Sequence, residues 1–155
     1  MQLTFTKGAG KFDRLAIVTA AGPQPVIDCP KQGIIPHDMV HFAVEAEVAT
    51  IGFLGGIADG GDAGFRAGVD NPHHRSVERL VETVQAEAWS GGPVGDAEFL
   101  SLYRVTCEAR GDTPLDLPSA TLAAIRARLA DLTTRWAAVP VGGSLVLTLS
   151  AASSG

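Results

Sequence analysis

The sequence predicts an α+β domain, with an antiparallel sheet of about four strands packed against about four helices. Three observations predict it. Short alternating segments separated by Gly/Pro turns fill residues 2–29. Four segments with helical spacing follow between 36 and 138. One further alternating segment closes the chain at 144–150. Residues 1–150 then make a single domain and 151–155 a flexible tail. A hydrophobic fraction of 46% with 19% charged residues suits a folded core at this length of 155 residues.

The first strand, 2–6, alternates Leu3 and Phe5 with Thr4 and Thr6. The turn Lys7-Gly-Ala-Gly-Lys11 leads to a second strand over Phe12–Thr19. A turn at Ala21-Gly-Pro-Gln24 leads to a third strand, Pro25–Cys29. Three short strands joined by tight turns imply an antiparallel meander. Pro36 suits the first position of a helix expected over 36–51 and extending toward 58. At 100° per residue, Val40, Val44, Val48, Ile51 and Leu54 share one apolar arc, with His37 inside it and His41 on its edge. Glu47 falls within the same arc, which makes it a buried acid, neutral or paired with a partner such as Arg75 or Arg79, or an acid set in a polar gap between helices.

Gly55–Val69 reads as a glycine-rich loop or a frayed helix end. No Gly-Lys-Ser/Thr follows it, which excludes a phosphate loop. Helices are expected at 76–89, 96–109 and 118–138. Ser90-Gly-Gly-Pro93 stops the first of these and the loop 111–117 the second. In the helix 118–138, Leu122, Ile125, Leu129, Leu132 and Trp136 form a stripe read as core, with a homodimer seam as the alternative. The final strand, 144–150, is expected to join the N-terminal meander, since a lone strand leaves its backbone groups unpaired.

Composition narrows the partners. A net charge of −5, with no run of basic residues, argues against nucleic acid. No apolar stretch is long enough for a membrane span. The N-terminal segment lacks the apolar core of a signal peptide, and two cysteines make no disulfide framework. A cytoplasmic protein is expected. The preference for Arg over Lys and the richness in Ala and Gly match a bacterial composition.

The most specific chemistry lies at Pro36-His-Asp-Met-Val-His41. Residues four apart share a helix face, so His37 and His41 present two imidazoles on one side, as a metal site on a helix requires. Glu45 continues that face at i+4. It stands about 12 Å along the axis from His37, so one ion held by all three is not expected. A third ligand is therefore sought on another element: Glu78 or Glu82 on the helix 76–89, His73 or His74 before it, or Cys29.

The His-Asp-x-x-His pattern resembles the His-Glu-x-x-His motif of the zinc-dependent peptidases. The resemblance covers His37, Asp38 and His41, with Glu82 on the following helix as the acidic ligand. It implies zinc on His37, His41 and Glu82. Asp38 then stands where that family's glutamate acts as general base, one methylene shorter, and a peptide or amide bond becomes the substrate.

Three functions remain open from the sequence. The first is a metal-binding protein, as a zinc-dependent hydrolase in which Asp38 or Glu45 accepts the proton of a metal-polarised water. The second is a non-enzymatic interaction or regulatory module in which the histidines are structural. The third is a metal-free ligand site that uses His41 with Glu45 against a small molecule.

Overall fold

In a computed structural model, residues 1–48, 52–58 and 71–150 are described. The expected extension of the histidine helix through 49–51, most of the glycine-rich segment and the tail 151–155 lie outside them. The elements are β1 (Gln2–Thr6), β2 (Phe12–Thr19), β3 (Gly22–Pro23), β4 (Ile27–Pro30), α1 (His37–Glu45), α2 (Phe53–Ala58), α3 (Pro72–Trp89), α4 (Asp96–Glu108), α5 (Ser119–Ala137) and β5 (Ser144–Thr148). The architecture is α+β, with five strands and five helices among the described residues.

The sheet is antiparallel, in the order β3-β2-β1-β5, with β4 also paired to β2. The closing strand β5 lies beside β1, pairing Leu3 with Leu147 and Phe5 with Leu145. Alternation then sorts the side chains by face. Leu3, Phe5, Leu15, Ile17 and Leu147 point into the core, whereas Phe12, Val18 and Val146 stay exposed on the other face. Phe5 meets Trp136 of α5 edge-on, with ring centroids 6.5 Å apart, so α5 closes over the buried face.

Helix α1 is the central element. Met39, Val40, Ala43 and Val44 are fully buried, and α1 packs against both α3 and α5. It ends at Glu45, with Ala46 as its C-cap, well short of the expected 51. The end is set by packing. The buried Glu45 carboxylate accepts the backbone N–H groups of Leu54 (3.1 Å) and Gly55 (2.9 Å), so the chain must fold back to α2 rather than run on. Glu47, released from the helix, meets Arg128 of α5 at 2.7 and 2.9 Å, not Arg75 or Arg79.

Helix α3 begins four residues earlier than expected. Asn71 caps it by accepting from the N–H groups of His73 and His74, and Pro72 occupies the first turn. The stripe on α5 is spent inside the chain, since Leu122, Ile125, Leu132 and Trp136 are all buried. Among the described residues, no helix is long and apolar enough to cross a membrane.

Candidate metal centre

Pro36, at the N-cap of α1 with φ −53° and ψ 146°, makes His37 the first helical residue. His41 follows one turn later on the same face, and the two rings stand edge to face with centroids 4.9 Å apart. Helix α3 crosses this face and brings Glu78 to both rings. Its Oε1 lies 3.2 Å from Nε2 of His37, and its Oε2 lies 2.8 Å from Nε2 of His41. The potential ligand atoms of His37, His41 and Glu78 all fall within 4.8 Å of one another.

The opposite ring nitrogens are both occupied. Nδ1 of His41 donates to Oε2 of Glu45 at 2.9 Å. Nδ1 of His37 lies 3.0 Å from Oε1 of Gln85, which also accepts from Nε2 of Gln32 at 3.0 Å. A carboxylate and an amide oxygen can only accept, so both histidines carry a proton on Nδ1, which leaves Nε2 as the nitrogen that a bound metal would take. This is how metal-ligating histidines are oriented, each with its outer nitrogen held by an acceptor.

Nε2 of His41 is fully buried and has no partner in hydrogen-bond geometry, although Glu78 approaches it closely. A zinc ion bonded at about 2.0–2.2 Å sets tetrahedral ligands about 3–3.5 Å apart; the two Glu78 contacts, 2.8 and 3.2 Å, are close to that scale, and the whole set lies within 4.8 Å. The donor set, two imidazoles and a carboxylate, suits zinc and neighbouring divalent metals.

Charge points the same way. Two carboxylates, Glu45 and Glu78, flank one buried imidazole. Burial alone disfavours the His41 cation, but Glu45 and Glu78 outweigh it and push its pKa up to about 10. Burial likewise disfavours ionised Glu78, yet His37 and His41 hold its carboxyl well below the usual range. The pocket is thus built for positive charge. A divalent cation with neutral histidines would balance the two carboxylates.

The other sequence candidates lie elsewhere. Glu82, the acid implied by the peptidase resemblance, pairs with Arg79 at 3.0 Å and stands 3.9 Å from Arg110. Glu78, its alternative one turn earlier, takes the place beside the histidines. Asp38 is buried and turned toward β4, where the Cys29 thiol reaches its Oδ2 at 4.0 Å. Neither Asp38 nor Cys29 belongs to the converging group. His73 is exposed at the start of α3, and the ring of His74 lies against Gly56.

Glu45 does meet His41, but both its oxygens are committed to His41 and two backbone N–H groups. Gln85 and Gln32 were not anticipated. Gln85 lies seven residues beyond Glu78, on the same face of α3, and that spacing was the available signal. No family model, curated protein or solved structure matches the chain, so function is argued from this geometry.

Proposed function

We propose that this chain is a divalent-metal protein, zinc in the first place, with His37, His41 and Glu78 as ligands and a hydrolytic centre as its role. The observation that carries the reading is the shared orientation of the histidines: both Nδ1–H groups are held by acceptors and both Nε2 atoms face one carboxylate. Three protein ligands leave a coordination position for water, as in catalytic rather than structural zinc sites. A bound divalent ion supplies Lewis acidity and brings the pKa of water near neutrality. His37 and Glu78 are each about one-quarter exposed, so the centre opens to solvent on their side, while His41 is sealed.

Within this reading Glu45 holds the proton on Nδ1 of His41 and fixes its ring, and Gln85 does the same for His37. A peptide, amide or other small hydrolysable molecule remains the proposed substrate. One observation favours a second reading, a centre that binds metal without turnover. Of the two acids expected as bases, Asp38 faces Cys29 and Glu45 is spent on orientation. A panel of chromogenic ester, amide and phosphoester substrates separates the readings. Turnover that requires metal and is lost in Glu78→Gln supports the hydrolase.

The decisive measurement is elemental analysis of protein purified without a metal-affinity tag, beside the His37→Ala/His41→Ala double variant. Close to one zinc per chain is expected, and none in the variant. An unchanged metal content in the double variant, or no uptake on reconstitution, overturns the proposal.

Metal uptake is also expected to be proton-linked. In the metal-free chain His41 is protonated below about pH 10, and a metal needs its Nε2 lone pair. The raised value means that the proton stabilises the metal-free fold below the ordinary 6.5, and this stabilisation is lost as pH rises through about 10. Below that folded-state value apparent zinc affinity should rise with pH, about tenfold per unit for the one proton displaced from His41. A competition titration against a chromophoric chelator at several pH values checks this, and a flat profile contradicts it.

A further inference from the structure

Strand β5 ends the sheet, and among the described residues nothing pairs with its outer edge. The hydrogen bonding to β1 fixes which backbone groups point outward. Met1 and Leu149 exchange both N–H···O bonds, at 3.2 and 3.0 Å, and the Lys7 N–H bonds to Gly143 O at 3.0 Å. In an antiparallel ladder such pairs alternate, so Gly143, Leu145, Leu147 and Leu149 bond inward to β1. Ser144, Val146 and Thr148 therefore present their N–H and C=O groups to the open edge. Their side chains are exposed, Val146 at 48%.

Natural edges are guarded by charge, proline or a bulge. This one has none of these. No charged side chain occurs from Trp136 to the last residue, and no proline after Pro140. On the exposed face beside the edge, the β1 positions Gln2, Thr4 and Thr6 are also uncharged, and Arg14 follows across Thr6 on β2.

We infer that β5 is an interface for a second copy of this chain, pairing antiparallel with its own symmetry mate about a two-fold axis at Val146. The register follows from the outward groups. With the axis at Val146, Ser144 faces Thr148 of the second copy and Val146 faces Val146. Every outward N–H and C=O of these three residues then has a partner within Ser144–Thr148 itself. Side-chain pairing suits the same register, with a β-branched pair at the centre, hydroxyl residues beside it and no like-charge contact. The strip Ala16–Thr4–Val146 becomes continuous across the axis. A two-fold pairing also closes on itself, so it uses up the edge without further growth.

The test is sedimentation or light scattering of the whole protein, together with three variants. Wild type is expected at twice the 16.0 kDa chain mass at high micromolar concentration. Val146→Pro removes an outward N–H that β1 does not use, so the sheet should persist while the mass halves. Val146→Lys places like charges across the axis and should do the same without a backbone change.

In the proposed register the two Cα atoms at position 146 lie about 5.5 Å apart, within disulfide range. Cys29 and Cys107 are buried, so Val146→Cys should cross-link the dimer on mild oxidation. Thr148→Cys should not, because its symmetry mate lies about 13 Å along the strand. A monomeric wild type overturns the inference. So does a dimer indifferent to both Val146→Pro and Val146→Lys, or cross-linking by Thr148→Cys in place of Val146→Cys.

Discussion

Glu45→Ala is expected to weaken zinc binding 10- to 100-fold and to destabilise the metal-free fold by about 2–4 kcal/mol. The two effects have separate origins. For binding, Glu45 accepts the Nδ1–H of His41 and so keeps Nε2 aimed at Glu78. Without it the imidazole can exchange tautomers and lose its fixed angle. For stability, the variant strands the N–H groups of Leu54 and Gly55, which have their acceptor in this carboxylate. A buried donor left without a partner costs about 1–3 kcal/mol. Glu45→Gln should fall between, because an amide oxygen accepts from some of these donors while its NH2 opposes the rest. Zinc titration and denaturant unfolding in chelator measure the two parts. Wild-type affinity in Glu45→Ala would show that His41 needs no such support.

Gly52→Ala should destabilise the fold by about 1–3 kcal/mol, opposite in sign to the usual gain of about 0.4–1 kcal/mol for this exchange in an open site. A Cβ at this position would stand 2.6 Å from Cγ1 of Val77, 2.7 Å from Cδ of Glu45 and 2.8 Å from its Oε1. Neither neighbour can yield cheaply. Val77 is fully buried on α3, and the Glu45 carboxylate is tied to three donors. Relief requires the segment before α2 to move off both helices, which drags Glu45 with it, so zinc affinity should fall too. Gly92→Ala is the control, since nothing lies within 4 Å of a Cβ there. Thermal unfolding of both variants decides the matter; equal midpoints would mean that the contact at Gly52 relaxes freely.

These two positions show where sequence reading succeeds and where it stops. Glu45 was visible as the residue one turn beyond His41, because helix spacing is a local property. Its use was not visible, because its other donors come from α2: the Leu54 N–H shares Oε2 with His41 and the Gly55 N–H takes Oε1, nine and ten residues on. Gly52 carried no signal at all, since its constraint is a close approach to α3. The choice of acid is similar. Glu78 and Glu82 are one turn apart on α3 and equivalent by periodicity. Only the way α3 lies across α1 puts Glu78 at the histidines and leaves Glu82 with Arg79.

By itself, the sequence determined what depends on neighbours along the chain. The alternating strands, the pairing of β5 with the N-terminal meander, the α+β class and the histidine pair on one helix face all follow from periods of two and 3.6 residues. Proline marked the start of α1, whereas the cap at Asn71 went unread and α3 begins four residues before the expected 76. Tertiary structure alone decided the end of α1, the partner of Glu47, the turning of Asp38 toward Cys29 and the acid that meets both histidines. The physical reason is that a buried polar group is satisfied by whatever donor or acceptor packing brings near, however distant in sequence.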